Sequence, residues 1–304
     1  MNRAVLFGLL LLFGICWGGT IPLTKIAVST GHSPLGLIAW QLVLGAVILG
    51  VMVLVRRSQF RVSFRNVLFF TIVALTGTIV PNLFSYWAAS QLPAGVMALV
   101  IALVPMCALL VALSFGLERL QIRRLLGVVL GICAIALIVM PQSSLPDASK
   151  AWVVLVALIA PLCYGLEGSY LSVYQPKEIG PIASLFGASC VGAFLVVPTA
   201  VIMGQTVPAA TVFQPGVAEW ALIGSTLLHI IAYTGYIWMV KQAGPVFSAQ
   251  VAYIVTPAGV LLAMVILGER PSPYLWAALA VLLLGLSLVQ PRQTEREEQA
   301  AVAP

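Results

Sequence analysis

The chain contains one kind of apolar block twice, as PAGVMALVIALVPMCALLVALSFGLERLQ at residues 93–121 and as PVFSAQVAYIVTPAGVLLAMVILGERPSP at residues 245–273. A proline opens both blocks, and Pro105 of the first matches Pro257 of the second at the same offset. Towards the ends, a one-residue slip brings LER onto GER. The two halves of the chain are therefore predicted to be copies of one structural unit.

The composition places both copies in a membrane. Of the 304 residues, 61% are hydrophobic and 8% are charged, and the mean hydropathy is +1.09. A soluble domain has roughly 45–50% apolar and about 25% charged residues. Since a spanning helix needs about 20 mostly apolar residues, the sequence predicts an all-α integral membrane protein with ten spans, at 4–28, 34–55, 66–89, 94–116, 122–140, 151–173, 181–203, 218–240, 246–267 and 273–290.

The ten spans divide into two repeats of five. CWG at residues 16–18 and CYG at residues 163–165 open the two copies. We predict a first repeat at 1–145, a second at 146–291 and a polar cytoplasmic tail at 292–304. Because five is an odd number, the second repeat enters the membrane from the opposite side, as in transporters whose substrate site lies near the midplane between inverted repeats.

The spacing within the two blocks differs by one residue. Thirteen positions separate Pro105 from Glu118, whereas twelve separate Pro257 from Glu269. We expect a local bulge or a late helix end in the first repeat to account for this.

Basic residues predict the orientation. With a cytoplasmic N-terminus, twelve of the fifteen Lys and Arg residues fall on the inner side and only Lys150 and Arg270 in outer loops, with Lys25 inside a span. An excess of this kind in short loops sets topology. Both termini are predicted to be cytoplasmic.

The motifs carry a family resemblance. CWGGTIPLTKIA near the N-terminus, the block ending in GLER and the block ending in GER resemble the drug/metabolite transporter superfamily, in its EamA-type ten-helix branch. The overall pattern is similar to the aromatic amino-acid exporter group, and the resemblance covers nearly the whole chain. It implies export of small metabolites, often amino acids and related compounds.

Three ionisable side chains lie inside predicted spans, where each is costly and is a functional candidate by default. Glu167 follows Tyr164 by about one helical turn, so both lie on one stripe of the sixth span, where Glu167 would contact an ammonium group, carry a proton or form a structural hydrogen bond. His229, with an ordinary pKa of about 6.5, would titrate in a wet cavity or pack against the backbone. Lys25 is expected to snorkel to the headgroups; otherwise it faces the cavity.

Aromatic residues supply the other predicted lining of a substrate pocket. Such rings stack on aromatic substrates or face an ammonium group. The predicted substrate-binding set is Trp17, Tyr86, Tyr164, Glu167, His229, Tyr233 and Tyr253, and the proton or ion coupling candidates are Glu167, His229 and Lys25.

Glycine and proline interrupt several spans. Gly18, Pro22, Pro105 and Pro257 are predicted to act in hinges or close helix packing, because they free carbonyls or let backbones approach. Where the spans end, Glu118 and Glu269 each precede an arginine, and we expect these pairs to be solvated anchors rather than gate latches.

Several function classes are disfavoured. The five cysteines are scattered without a C-x-x-C pair and there are only two histidines, so we expect no metal site, no cofactor and no enzymatic activity. No G-x-x-x-x-G-K-[ST] loop occurs, which argues against ATP hydrolysis as the motor.

The sequence thus predicts a secondary transporter of a bacterial inner membrane. We expect it to export small metabolites, above all aromatic or apolar amino acids, by alternating access between the repeats. The open alternatives are an uncoupled facilitator, a transporter of cationic drugs or other metabolites, and a structural or receptor role. Its expected partners are a small-molecule substrate and the lipid bilayer, with no nucleic acid, and the expected state is a monomer.

Overall fold

A computed structural model describes residues 3–141, 143–176, 178–206 and 215–289, and the predicted tail at 292–304 lies outside these ranges. The regular structure of the described residues is helical. The long helices are α1 (Arg3–Val28), α2 (Pro34–Val55), α3 (Phe64–Ala74), α4 (Val80–Gln91), α5 (Ala94–Ile101), α6 (Val104–Ser114), α7 (Ile122–Val139), α8 (Ala151–Ala157), α9 (Ile159–Tyr174), α10 (Pro181–Ile202), α11 (Val217–Ala249), α12 (Ala252–Leu267) and α13 (Pro273–Val289).

Eight helical segments of the described chain are long and apolar enough to cross a membrane. Two shorter apolar helices, α12 and α13, coincide with the ninth and tenth predicted spans. The prediction of an all-α, ten-helix membrane protein is therefore confirmed, and the chain is a multi-pass membrane protein.

Three spans are broken in ways that the apolar pattern does not reveal. A π-helical segment, Leu75–Ile79, joins α3 to α4 in the third span. A turn at Ala102 and Leu103 separates α5 from α6, and Leu158 separates α8 from α9. Pro81 stands at the start of α4 and has no amide hydrogen to donate to the preceding turn. The missing hydrogen bond favours a local irregularity such as the wider π turn.

The expected loop between the eighth and ninth spans is helical. Gly235 of α11 lies against Phe13 of α1, whereas Phe247, twelve residues later, lies against Phe7 with ring centroids 5.1 Å apart. From Phe247 the chain runs back along α1, since a Cβ added at Gly14 would meet Val251 and Ile254. The chain therefore changes direction along α1 between Gly235 and Val251.

The two halves of the chain pack against each other along their length. Helix α1 packs on α11 and α12, α2 on α10, α6 on α9, and α7 on α13. Each pair takes one helix from each half. The two halves thus meet along a shared interface through the molecule.

Close packing depends on small residues at these pairs. A Cβ added at Gly18 would lie 2.7 Å from the Val255 carbonyl oxygen and 2.9 Å from the Gly259 nitrogen. Glycine lets the backbones of α1 and α12 touch, which is how spanning helices pack where lipid provides no hydrophobic drive between them.

The one-residue difference in spacing between the two blocks lies in the loop after α6 and not in the helix itself. Gly116 and Gly268, each eleven positions after the matched proline, both have φ of +67° and stand at the ends of α6 and α12. These left-handed glycines end the two helices alike. The first repeat then inserts Leu117 before Glu118, so the expectation of a bulge or a late helix end is wrong.

Candidate functional site

A chain of hydrogen bonds crosses the centre of the molecule. Asn82 Nδ2 and the Tyr86 hydroxyl, both on α4, donate to Gln41 Oε1 of α2 over 2.9 and 2.6 Å. From the other half, the Tyr164 hydroxyl on α9 donates to Asn82 Oδ1 over 3.0 Å. Asn82 and Tyr86 are buried, and burying such groups without partners is costly. The network therefore fixes three helices relative to each other.

Glu167 lies one turn along α9 from Tyr164, against the π-helical segment. A Cβ added at Gly77 would overlap the Glu167 carboxyl group. Gly77 thus provides the room in which this carboxyl sits, and the two contacts, Tyr164 with Asn82 and Glu167 with Gly77, align α9 with the third span. Glu167 is half-buried, and no hydrogen bond or ion pair to it is found among the described residues.

An aromatic cluster joins α1 to α11. The Trp17 ring meets the rings of His229, Tyr233 and Tyr236 edge-on, with centroids 5.8, 6.4 and 5.9 Å apart. The His229 and Tyr233 rings stack at 6.1 Å with an interplanar angle of 11°. Edge-to-face and offset-stacked pairs are the favoured aromatic geometries, so the four rings form one wall.

His229 borders an open internal space. On α11, Leu227 and Ile231 are exposed on the outer stripe. His229 is also exposed, but it lies two positions from both, about 200° around the helix at 100° per residue. Its neighbours on that inner face, Ser225 and Ala232, are buried. The exposure of His229 therefore comes from a gap between helices and not from the outer surface.

The wall and the carboxyl face the same region. Glu167 is close enough to the hydroxyls of Tyr164 and Tyr233 to interact with both electrostatically. Gly168, the next residue on α9, is exposed, and nothing lies within 4 Å of a Cβ placed there. The central site, defined as Gln41, Asn82, Tyr86, Tyr164, Glu167, Trp17, His229 and Tyr233, thus combines a carboxyl, amides and aromatic rings from both halves.

These side chains suit reversible binding of an organic molecule. Within the parts of the chain that the structure describes, no group of three or more His, Cys, Asp or Glu is placed to hold a metal ion. A carboxyl beside aromatic faces binds cationic groups through charge and through the ring quadrupole. The amides supply donors and acceptors that fix the orientation of a polar ligand.

Comparison with known proteins gives the family. The EamA-like transporter family matches residues 4–140 and again residues 151–290. The chain belongs to this family. It is accordingly a membrane transporter and not an enzyme.

Two curated relatives span nearly the whole of this EamA-like transporter. "Uncharacterized inner membrane transporter YedA" of Escherichia coli (strain K12) is 26% identical over 93% of this chain and 90% of its own length. A "Probable terminal-alkyne amino-acid exporter" of Streptantibioticus cattleyicolor is 25% identical over 96% of this chain and 95% of its own length. A solved crystal structure matches with a TM-score of 0.62 at 18% identity, covering 97% of this chain and 98% of that one, which shows a shared fold.

A second polar region of the EamA-like transporter lies at the predicted outer ends of its helices. A cavity of about 270 Å³ is lined by Lys25, Gln91, Asp147, Lys150 and Glu269, among others. We name it the Lys25 cavity. It lies apart from the aromatic wall, because Lys25 stands two helical turns beyond Trp17 on α1.

Lys25 does not snorkel as expected. Its Nζ donates to the carbonyl oxygens of Ala89 and Ser90 at 2.6 and 3.4 Å, and it interacts electrostatically with Glu269. These carbonyls belong to the last turn of α4, where a helix leaves acceptors unpaired. The cation is held by protein groups rather than by headgroups.

Other hydrogen bonds close the rim of the Lys25 cavity. Lys150 Nζ donates to Gln91 Oε1 over 2.9 Å. In the adjoining loop, the hydroxyl and backbone N–H of Ser149 both donate to Asp147, over 2.6 and 3.0 Å. These two hydrogen bonds lower the pKa of the Asp147 carboxyl, because they favour its charged form.

Neither acidic residue near the end of the repeated blocks pairs with the arginine that follows it. Glu269 accepts the backbone N–H groups of Ala94 and Gly95 over 2.6 and 2.9 Å, at the start of α5 in the other half. Glu118 pairs with Arg124 over 2.9 Å. The prediction of local Glu–Arg anchors is wrong, because Glu269 caps a helix and Glu118 reaches a buried guanidinium.

Tyr253 and the hinge candidates lie outside the central site. Tyr253 packs against the main apolar core, and its hydroxyl interacts electrostatically with Arg123 at the predicted inner end of α7. Pro22 and Pro257 stand inside α1 and α12. Pro105 stands in the first turn of α6, just after the break between α5 and α6.

Sequence reasoning missed Gln41 and Asn82. Both are uncharged, so a search for ionisable groups inside spans passes over them. The signal that could have found them is polarity at mid-span, in AWQLVLG and in VPNLFS, because any polar side chain at membrane depth needs a partner.

Proposed function

We propose that this transporter exports small zwitterionic metabolites, most of all amino acids with aromatic or apolar side chains, by alternating access between its two repeats. The name of the Streptantibioticus relative, a probable amino-acid exporter, supports the substrate class. The central site supports it independently, since it offers a carboxyl for an ammonium group and rings for an apolar side chain.

The observation that carries the proposal is the environment of Glu167. The carboxyl is half-buried, is seated against Gly77 and has no cationic partner among the described residues. A substrate ammonium would supply the missing partner through a charge-assisted hydrogen bond. The rings of Trp17, His229 and Tyr233 would then flank the substrate side chain.

The energy for transport would come from the substrate gradient or from protons. Glu167 is the proposed proton carrier, because it is the ionisable group of the central site that touches the π-helical segment. His229 is the second candidate, since it borders the internal space. Lys25, bound to α4 carbonyls in a separate cavity, is proposed to hold the outer end rather than to couple ions.

The topology is proposed on the charge pattern. Repeats at 1–145 and 146–291 with both termini in the cytoplasm agree with the basic-residue bias. A bacterial inner membrane agrees with the name of YedA, an inner membrane transporter. We propose a monomer, because ten helices suffice to enclose a path between two repeats.

Counterflow in proteoliposomes tests the function. Vesicles are loaded with one unlabelled amino acid at a time, and uptake of labelled phenylalanine or leucine is followed. We expect uptake driven by aromatic and apolar amino acids, and its loss in Glu167→Gln. Glu178→Gln, which changes an exposed carboxylate outside the helices, is the matched control and should behave like wild type.

Two results would redirect the proposal. Absence of uptake with every amino acid would exclude this substrate class. Uptake that persists in Glu167→Gln, with the same pH dependence as wild type, would remove Glu167 from both the ammonium and the proton role.

Organic cations are the second candidate substrate class, because Glu167 beside aromatic faces suits them as well. Competition distinguishes the classes: a quaternary ammonium compound that drives counterflow better than any amino acid would favour the cation. An uncoupled facilitator would show no acceleration of flux by substrate on the far side of the membrane.

A further inference from the structure

We propose that the side-chain amide of Gln41 binds the carboxylate of the substrate. This inference rests on the proposed function and assigns the second end of the zwitterion. In the central network, Tyr164 donates to Asn82, and Asn82 and Tyr86 both donate to Gln41 Oε1.

The amide of Gln41 is held in one orientation. Its oxygen accepts from Asn82 Nδ2 at 2.9 Å and from the Tyr86 hydroxyl at 2.6 Å. With both bonds on the oxygen, the Nε2 group with its two N–H donors lies on the opposite side of the planar amide. No acceptor for Nε2 is found among the described residues, and Gln41 is only partly buried.

The side-chain amide of Asn82 is also held in one orientation. Tyr164 donates to its Oδ1 at 3.0 Å, so its amide nitrogen is directed to Gln41. In this network of four side chains, the donors that remain unused are the two N–H groups of Gln41 Nε2. Because Gln41 is only partly buried, these N–H groups are open to a ligand, and a carboxylate oxygen can accept from one of them in a charge-assisted hydrogen bond.

The central site contains no Lys or Arg, and two such residues that lie inside helices are engaged elsewhere. Lys25 is bound to α4 carbonyls in the Lys25 cavity, and the buried Arg124 is paired with Glu118 and the Val289 carbonyl. A carboxylate entering the central site therefore meets neutral donors. The Gln41 amide is suited to a substrate that must be released, because neutral donors bind carboxylates more weakly than a guanidinium does.

The ammonium and carboxylate positions are linked through α9. Tyr164 is bonded to the Gln41 network, and Glu167 follows it by three residues, a spacing that puts their Cβ atoms about 5–6 Å apart on one helix face. Tyr164 therefore connects the Glu167 carboxyl to the Gln41 network, and the proposal places the substrate ammonium at Glu167 and its carboxylate at Gln41.

The test compares an amino acid with the amine that keeps its ammonium and side chain but has no carboxyl oxygen at all. Phenylalanine and 2-phenylethylamine are used as counterflow substrates at equal concentrations. Gln41→Glu keeps the oxygen that Asn82 and Tyr86 need, while it replaces the Nε2 donors with an acceptor. We expect the half-saturating concentration for phenylalanine to rise about 10- to 100-fold, with no loss for 2-phenylethylamine.

Gln41→Met adds no acceptor or charge, but it removes the oxygen that accepts from Asn82 and Tyr86 together with the Nε2 donors, so it should lower stability and also abolish the preference for the acid. Gln91→Glu is the matched control, since it likewise keeps the oxygen that accepts from Lys150 but lies in the Lys25 cavity. It should leave the preference for phenylalanine over 2-phenylethylamine as in wild type.

The outcomes separate this inference from the proposed function. If wild type moves phenylalanine and Gln41→Glu weakens both compounds equally, the network is structural and the carboxylate assignment falls alone. A wild type that handles both compounds equally well also overturns it. If wild type moves no amino acid, the proposed function fails and this assignment falls with it.

Discussion

Gly77 and Glu167 are in contact in the centre of the molecule, and the Glu167 carboxyl occupies the place where a Cβ at position 77 would stand. Gly77 is the middle residue of the π-helical segment Leu75–Ile79. π-Bulges are frequent at functional sites. Here the irregular turn and the missing side chain together make room for an ionisable group at membrane depth.

The first prediction is that Gly77→Ala displaces Glu167. The added methyl group overlaps the carboxyl, so α9 or the Glu167 side chain must move, at a cost of about 1–3 kcal/mol by the usual range for overpacking. We expect a lower unfolding temperature in detergent and a large loss of amino-acid counterflow. Gly8→Ala is the control, because nothing lies within 4 Å of a Cβ at that helical position. Equal behaviour of the two variants would mean that the contact has no functional weight.

The second prediction concerns the bond between the two halves. Tyr164→Phe keeps the ring and removes only the hydroxyl that donates to Asn82. Interhelical hydrogen bonds in membranes contribute about 0.6 kcal/mol on average and up to about 1.7. We expect a loss of stability in that range, measured by reversible unfolding in mixed micelles.

Tyr174→Phe on the same helix is the control for this bond. Tyr174 is exposed, and its hydroxyl forms no hydrogen bond among the described residues. If Tyr164→Phe proved as stable as Tyr174→Phe, the hydroxyl of Tyr164 would not help to hold α9 to the third span.

The third prediction addresses the predicted outer end. Glu269 accepts hydrogen bonds from two backbone N–H groups at the start of α5. The helix dipole also stabilises a negative charge at this end of the helix. Glu269→Gln retains one acceptor oxygen and loses the charge, so we expect a loss of about 1 kcal/mol. Thermal unfolding in detergent measures this loss of stability. Glu178→Gln is the control, because it changes an exposed carboxylate that caps none of the described helices. An unchanged unfolding temperature would contradict the capping role.

Much of the fold could be predicted because helix length and apolarity are local properties. The ten spans were located from runs of apolar residues, and the repeat required only the matched prolines. The breaks at Leu75–Ile79 and at Ala102 could not be located, since Pro81 and Pro105 just after them indicate a disturbed helix without saying whether it kinks, widens or ends. A polar group such as Asn82 is visible in the sequence, but which helix supplies its partner is a long-range fact.

The partners of the charged residues were the hardest to predict. Lys25 has a stem long enough to reach either headgroups or protein carbonyls, and only the position of the last turn of α4 decides between them. Glu118 and Glu269 occupy matched positions in sequence, yet the extra Leu117 in one loop gives them different partners. Spacing along the chain therefore identified these residues without revealing their contacts.

The fourth prediction distinguishes a ring from a proton carrier at position 229. His229 stacks on Tyr233 and meets Trp17 edge-on, and it has no hydrogen-bond partner among the described residues. Phenylalanine reproduces both ring contacts, whereas alanine removes them. We expect His229→Phe to keep amino-acid counterflow and its pH profile. His229→Ala should weaken counterflow of aromatic substrates about tenfold, a loss of roughly 1.4 kcal/mol, which is within the range for two aromatic pairs.

The pH dependence of flux decides whether His229 carries a proton. Flux is measured between pH 5.5 and pH 8, about one unit or more on either side of the ordinary pKa of histidine. Because Phe cannot titrate, a flat profile in His229→Phe against a sloping one in wild type would assign the proton to His229 and not to Glu167.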